Sequence, residues 1–198
     1  MRILTVADTE DKALWDYYDK NRLGPIDLIL SGGDLKPAYL EFLVTMTNAD
    51  LYYVRGNHDG IYAKEPPGGG IDIDGKLVTV SGLRILGLGG CMRYKNGPDM
   101  YDEKEMAKRI RKLKWRLKKA GGVDILLTHA PAKGYGDQED LCHQGFSCFA
   151  DLLDTYHPTY MIHGHVHKEY GHFNRELSHP GGTRIINACG YHILETNP

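Results

Sequence analysis

Short runs of apolar and β-branched residues recur along the chain, and most of them end at a cluster of glycine, aspartate, asparagine or histidine. Runs of this length and composition predict β-strands. The predicted strands cover residues 3–6, 26–30, 51–54, 77–80, 84–88, 125–128, 160–162, 169–174 and 183–187. A Pro- and Gly-rich stretch, 65–70, predicts a loop that either borders a functional site or is a surface turn.

Between several of these runs the apolar residues follow the spacing of amphipathic helices. The predicted helices cover residues 12–20, 37–46, 103–119 and 146–155, and Pro37 stands at a first helical position. The alternation predicts an α/β sandwich, partly parallel, with β-hairpin segments in the middle and near the C-terminus. Because 198 residues fit one domain of ordinary size, we expect residues 1–198 to form a single domain.

The composition, with 41% hydrophobic and 25% charged residues, excludes a disordered, collagen-like or membrane-spanning chain. The N-terminus lacks the apolar core of a signal peptide. The four cysteines show no Cys-x-x-Cys spacing, which favours reduced, mostly buried thiols. We therefore expect a cytoplasmic protein with no membrane partner.

Charge is divided unevenly along the chain. The predicted helix 103–119 carries nine basic and two acidic residues, a local charge of +7, so the remainder must sum to -9 to give the net charge of -2. The near-neutral total excludes polyanion binding through global charge alone. The basic helix is then either a solvated surface or a means of steering an anionic substrate.

Five of the predicted strands are followed by residue types that bind metals. Ligands bind at the carboxyl ends of strands in α/β sheets, so clusters that are distant in sequence can converge there. In chain order the clusters are Asp8 with Glu10, Gly32-Gly33-Asp34, Gly56-Asn57-His58-Asp59, His129, and His163-Gly164-His165-Val166-His167. Mixed imidazole, carboxylate and amide ligands suit Mn, Fe or Zn, and two such ions can clamp the attacking and leaving oxygens of a displacement at phosphorus.

The ordered motifs resemble those of the calcineurin-like metallophosphoesterases, whose pattern is Asp-x-His, Gly-Asp, Gly-Asn-His-Asp/Glu, a lone His and Gly-His-x-His. The resemblance runs from Asp8 to about Asn187 and implies a four-layer α/β/β/α sandwich. It also implies that His58 acts near the leaving group, as a general acid or a phosphate contact, with Asp59 orienting its ring. For the metals it implies that Asp8 and His167 hold the first ion, that Asp34 bridges, and that Asn57, His129 and His165 hold the second.

One position departs from that pattern, because Glu10 stands where the family has the histidine of Asp-x-His. Our preferred hypothesis is that the Glu10 carboxylate replaces the imidazole and shifts the first site toward harder ions. The competing interpretation is that Glu10 points away or binds through water and leaves a weak first site. The expected cofactors are two divalent ions, with Mn or Fe preferred and Zn or Ni possible.

The sequence thus predicts a hydrolase that acts on a small phosphoester, with a slight preference for a phosphodiester, by attack of hydroxide bound to a dinuclear metal centre. A catalytically weak metal-binding scaffold is one alternative, although a scaffold has no need of His58. A nuclease is the other, and the basic helix is its only support. For His163 and His143 we favour a structural role, or one that supports the ligands, over metal ligation. Asp140 either approaches the substrate or makes a local turn or cap, and for Arg55 and Arg93-Tyr94 we favour surface or packing roles over contact with a phosphoester.

Overall fold

The computed structural model describes residues 1–168 and 173–196. The strands are β1 (Arg2–Ala7), β2 (Leu28–Ser31), β3 (Asp50–Tyr53), β4 (Gly70–Asp72), β5 (Lys76–Val80), β6 (Leu83–Leu88), β7 (Cys91–Met92), β8 (Met100–Tyr101), β9 (Ile125–Thr128), β10 (Tyr160–His163), β11 (Glu176–Ser178), β12 (Arg184–Asn187) and β13 (Gly190–Glu195). The helices are α1 (Lys20–Leu23), α2 (Pro37–Thr47), α3 (Glu103–Ala120) and α4 (Ser147–Tyr156), and a 3-10 helix covers Asp59–Ala63.

The strands form two main sheets that are mostly parallel. The first has the order β13-β1-β2-β3-β4, in which β13 runs antiparallel to β1. The second has the order β11-β12-β10-β9-β6-β5, with antiparallel strands β11 and β5 at its edges. The β5–β6 and β11–β12 pairs are the hairpin segments predicted in the middle and near the C-terminus, so both predictions are confirmed.

Three hydrophobic clusters explain how the layers stack. Side chains alternate along a strand, so Leu127 of β9 enters the cluster between the two sheets while its neighbour Leu126 faces α3 and α4. In β1, Ile3 likewise joins the cluster between the sheets and Leu4 joins the cluster under α2. The resulting order is helix, sheet, sheet, helix. The α/β fold class predicted from the alternation and the resemblance is confirmed.

One local prediction was wrong, and another lies largely outside the described residues. Residues 12–17 form turns instead of a helix, because Asp11 and Asp19 accept hydrogen bonds from backbone amides two residues ahead, and α1 begins only at Lys20. Trp15 also packs edge-on against Phe42 of α2, which fixes this turn on the helix layer. The predicted strand 169–174 lies largely outside the described residues, and the strand that pairs with β12 is β11.

The remaining elements follow from local signals. Pro37 begins α2 as predicted, and α3 begins with a capping box in which Asp102 and Glu105 exchange backbone hydrogen bonds. Within residues 1–168 and 173–196, no helix has both the length and the apolar character needed to cross a bilayer.

Candidate metal centre

The loops after β1, β2, β3, β9 and β10 meet at one end of the sandwich. The Asp8 amide donates to the Gly33 carbonyl at 3.0 Å, and the Gly164 amide donates to the His129 carbonyl at 2.9 Å. The two sheets are joined where the His165 amide donates to both oxygens of the Asp8 carboxylate, at 3.0 and 2.9 Å. The five clusters predicted from the sequence therefore come together.

The deepest part of this site combines three side chains from both sheets. Asp34, His129 and His165 each offer one ligand atom, and these atoms lie within 4.8 Å of one another. The Nε2 atom of His129 lies 3.4 Å from Asp34 Oδ2 and 3.1 Å from His165 Nδ1. Asn57 Oδ1 lies 3.2 Å from the same nitrogen. This donor set of imidazole nitrogens and carboxylate and amide oxygens fits a divalent transition metal.

Backbone carbonyls fix which nitrogen of each ring faces the site. The Nδ1 atom of His129 lies 2.8 Å from the Gly32 carbonyl oxygen, and Nε2 of His165 lies 2.7 Å from the Cys142 carbonyl oxygen. In the neutral rings these nitrogens carry the proton and donate to the carbonyls, so the opposite nitrogens present lone pairs to the cluster. Both histidines are buried.

Asp8 and His167 form the neighbouring part of the site, where His167 Nε2 lies 3.8 Å from Asp8 Oδ1. The Asp8 side chain is fully buried. Asp8, Asp34 and His165 all have left-handed backbone conformations, with φ of 62°, 57° and 69°. Such conformations are strained for residues other than glycine and concentrate at functional sites.

The charges of the site are strongly coupled without metal. Burial raises the pKa of Asp8 to about 7, and the charge of Asp34 adds to this effect. Burial would also raise the pKa of Asp34, but the His129 charge and hydrogen bonds from His129 and the His58 amide outweigh it and lower the value to about 2. Burial alone would lower the pKa of His129, but the charges of Asp34 and Asp8 outweigh burial and raise the pKa to about 9. A proton on His129 thus supplies positive charge where a metal would.

Asp59 has a different environment from the one expected. Its Oδ2 atom accepts hydrogen bonds from the amides of Asp34 at 2.7 Å and Gly56 at 2.8 Å, so it ties the loop after β2 to the loop after β3. The neighbouring His58 is exposed, and its amide donates to Asp34 Oδ1 at 2.8 Å. These contacts give Asp59 a loop-joining role in place of the predicted contact with the His58 ring.

Glu10 lies at the mouth of the site beside a lysine that the sequence reading did not single out. Both oxygens of the Glu10 carboxylate lie 3.4 Å from Lys36 Nζ. The cleft here has a volume of about 310 Å³. It is lined by Asp8, Glu10, Asp34, Leu35, Lys36, Pro37, His58, Asp59 and Ile61. Glu10 is thus near the site, and its carboxylate already has a cationic partner.

A wider groove adjoins this cleft. It has a volume of about 620 Å³ and shares Lys36, Pro37 and Ile61 with the cleft. Its far end is lined by Glu65 and Pro66, at the start of the loop that the sequence placed either beside the site or on the surface.

Another part of the rim contains Tyr94 and His143, for which the sequence favoured packing or structural roles. The Nδ2 atom of Asn57 donates to the Tyr94 hydroxyl at 3.4 Å, which leaves Asn57 Oδ1 facing the cluster. His143 packs against the His165 ring with centroids 5.3 Å apart, and its Nδ1 lies 2.9 Å from both Asp140 oxygens. No spacing rule joins Tyr94 to Asn57, because the loops meet only in the fold.

The fold and the cluster of metal-ligating side chains point to one protein family. The sequence model of the calcineurin-like phosphoesterase family matches residues 1–169, and the chain belongs to that family.

The chain is also similar to several known proteins. The chain is 31% identical over 141 residues to UPF0046 protein T07D4.2 of Caenorhabditis elegans, a match that covers 66% of this chain and 31% of that protein. The chain therefore spans about a third of the length of this curated relative. TT1561 of Thermus thermophilus has a similar structure, with a TM-score of 0.63, 16% identity, and coverage of 95% of this chain and 88% of that one. A hypothetical protein from the same organism gives a TM-score of 0.50 at 18% identity, over 94% and 75% of the two chains. At these identities the two structures support the fold alone.

Proposed function

We propose that the protein hydrolyses phosphoesters, preferentially diesters, at a centre of two divalent metal ions. The observation that carries this proposal is the convergence of Asp34, His129 and His165 from two sheets, with both rings held in the tautomers that metal ligation requires. Buried histidines and carboxylates that share one cavity without a metal would be an unfavourable arrangement.

We assign the ligands to the two ions as the family resemblance implies. Asp8 and His167 would hold the first ion, Asp34 would bridge, and the second would be held by Asn57, His129 and His165. When bound, the ions supply Lewis acidity toward the phosphoryl oxygens and lower the pKa of water. We expect Mn or Fe, with Zn or Ni as substitutes, because the set mixes nitrogen and oxygen donors without a thiolate.

The chain itself supplies groups for the leaving side. The exposed His58 lines the cleft, and its backbone is anchored by the hydrogen bond to Asp34, so the ring can donate a proton or a hydrogen bond to the departing oxygen. Asp59 keeps that backbone in place through its two amide contacts. Lys36 adds positive charge at the cleft mouth, where an anionic substrate would enter.

The preference for diesters is supported by the shape of the surface. The groove that continues from the cleft toward Glu65 and Pro66 offers room for a second alcohol group, which a diester has and a monoester lacks.

Turnover of bis-p-nitrophenyl phosphate and p-nitrophenyl phosphate by metal-loaded protein tests the proposal. We expect the diester to be hydrolysed faster and His58→Ala to lose about 100-fold or more in kcat with its metal content unchanged. The exposed His157 lies outside the cleft, so His157→Asn serves as the control and should behave as wild type. If neither ester is hydrolysed although both ions are bound, the scaffold alternative is correct.

Metal analysis of Glu10→Ala separates the two interpretations of that residue. We propose that Glu10 is a ligand of the first ion and exchanges its contact with Lys36 for the metal, since an exposed ion pair contributes only about 0 to 1 kcal/mol. Glu10→Ala should then bind one equivalent instead of two. Unchanged stoichiometry and activity would remove Glu10 from the metal site.

Two broader features belong to the same proposal. We propose that residues 1–198 form one domain, because β12 and β13 lie beyond the matched residues 1–169 and yet pair with β10 and β1. We also propose a cytoplasmic location, since all four cysteines are free thiols.

A further inference from the structure

The outward face of α3 is a basic surface with an indole at its centre. Met106, Ile110, Leu113 and Leu117 are buried against the second sheet and α4, while Trp115 on the opposite side of the helix is 69% exposed. Arg111, Lys112, Lys118 and Lys119 occupy positions three and four residues from Trp115 and therefore surround it.

The charge of this face is not neutralised by the fold. Eight basic residues of α3 are exposed, and in the described part of the chain none of them forms an ion pair with a carboxylate. They are Lys104, Lys108, Arg111, Lys112, Lys114, Arg116, Lys118 and Lys119. The remaining basic residue, Arg109, points inward and pairs with Asp74. Over 18 residues the surface extends about 27 Å.

This surface is connected to the metal centre. The first turn of α3 contacts the loop after β7, where Arg93 Nη2 lies 2.6 Å from Glu105 Oε2. The next residue in that loop, Tyr94, contacts the candidate ligand Asn57, and Lys95 lies 5.2 Å from the Tyr94 ring centroid. A line of basic and aromatic side chains therefore leads from the rim of the site to Trp115.

We propose that this line, from Tyr94 and Lys95 along the outer face of α3, binds single-stranded nucleic acid. Lysine and arginine side chains would contact successive phosphates, and the exposed indole of Trp115 would stack on a base. Stacking on an exposed ring favours a single strand over a bilayer surface, because Trp115 is the one large apolar side chain exposed among the described residues of α3. A role for the strand as substrate rests on the proposed hydrolysis of phosphodiesters. Binding of the strand does not depend on that hydrolysis.

Binding is measured by fluorescence anisotropy of a labelled oligothymidylate of about 16 nucleotides with the full chain in EDTA, so that hydrolysis plays no part. The test variant is Arg111→Gln/Lys112→Gln/Lys118→Gln. The control is Lys12→Gln/Lys20→Gln/Lys133→Gln, which removes the same charge from exposed positions outside α3. A Trp15→Phe background leaves Trp115 as the single tryptophan, whose quenching reports stacking.

We expect the α3 variant to bind about tenfold more weakly at about 0.1 M salt, and its slope of log K against log salt to shrink by about 2, because three phosphate contacts are lost. The control variant should bind as wild type, the strand should quench Trp115, and the α3 variant should still hydrolyse bis-p-nitrophenyl phosphate. Equal weakening in both variants, or no binding at low salt, overturns the proposal. Binding to vesicles containing phosphatidylserine without binding to the strand also overturns it and assigns the face to a membrane surface.

Discussion

Gly56 is the position where the smallest chemical change should disrupt the site most. It directly precedes Asn57, and a Cβ atom built on it would lie 2.1 Å from Asp34 Oδ1 and 2.6 Å from His129 Cε1. Cβ contacts below 3.0 Å are essentially never found, so in Gly56→Ala the Asp34 carboxylate has to retreat by nearly 1 Å. The proposed bridging ligand would then leave its place.

The consequences can be given magnitudes. A displacement of about 1 Å in a catalytic arrangement costs about 100-fold in rate, and forcing a methyl group into a packed site costs about 1 to 3 kcal/mol of stability. We therefore expect Gly56→Ala to fold, to bind metal more weakly by titration calorimetry, and to lose about 100-fold in turnover of bis-p-nitrophenyl phosphate.

Gly60→Ala provides a matched control four residues away. Its Cβ would meet only Pro98 Cγ at 3.5 Å, an ordinary van der Waals contact, so this variant should retain wild-type metal affinity and turnover. If Gly56→Ala binds both ions with unchanged affinity, the reasoning that places Asp34 between them is refuted.

Two further substitutions test the supports of the site. Tyr94→Phe removes the hydroxyl that orients the Asn57 amide, so metal affinity by titration calorimetry should fall about tenfold, and an unchanged affinity would contradict this role. Arg109→Met leaves the Asp74 carboxylate, 10% exposed, with the Gly89 amide as its remaining donor. Urea denaturation should show that the free energy of unfolding falls by about 3 kcal/mol, and by less in the double variant with Asp74→Asn. A fall of less than about 1 kcal/mol would contradict the stabilising role of this ion pair.

The strand ends and their ligands could be predicted from the sequence because each depends on signals within a few residues. An apolar run followed by glycine and a metal-ligating residue identifies a strand end wherever it occurs, and parallel strands bring their carboxyl ends together. Asp8, Asp34, Asn57, His129 and His165 therefore meet as expected. Their assignments to particular ions remain predictions.

Contacts between loops that are distant in sequence could not be predicted. The partner of Glu10 is 26 residues away and becomes its neighbour only because α2 begins beside β1's loop. Asp59 makes its contacts with backbone amides, for which residue type carries no signal. The prediction of a helix over 12–20 was wrong for a related reason. The hydrogen bond to Asp11 and the packing of Trp15 on α2 outweigh the helical pattern of the local sequence.

The proton on His129 makes metal binding and stability depend on pH in a defined direction. Because the metal-free fold raises the pKa of His129 from 6.5 to about 9, its contribution to stability is fully present below pH 6.5 and is lost as the pH rises through 9. The buried His163 and His165, whose pKa values are lowered to about 4 and 3, act in the opposite direction but only below pH 6.5. Between pH 6.5 and pH 9, loss of the His129 contribution alone should lower the free energy of unfolding of the metal-free protein by on the order of 3 kcal/mol.

A metal ligated by His129 Nε2 must displace that proton, so metal affinity should rise with pH until about pH 9. Titration calorimetry near pH 8 in two buffers of different ionisation enthalpy should detect about one proton released as the second site fills. Thermal denaturation with EDTA should show the fall in stability above pH 6.5, and saturating metal should abolish it. Binding without proton release, together with a flat stability profile in EDTA, would mean that His129 is neutral in the metal-free fold and that Asp8 and Asp34 are balanced by another group.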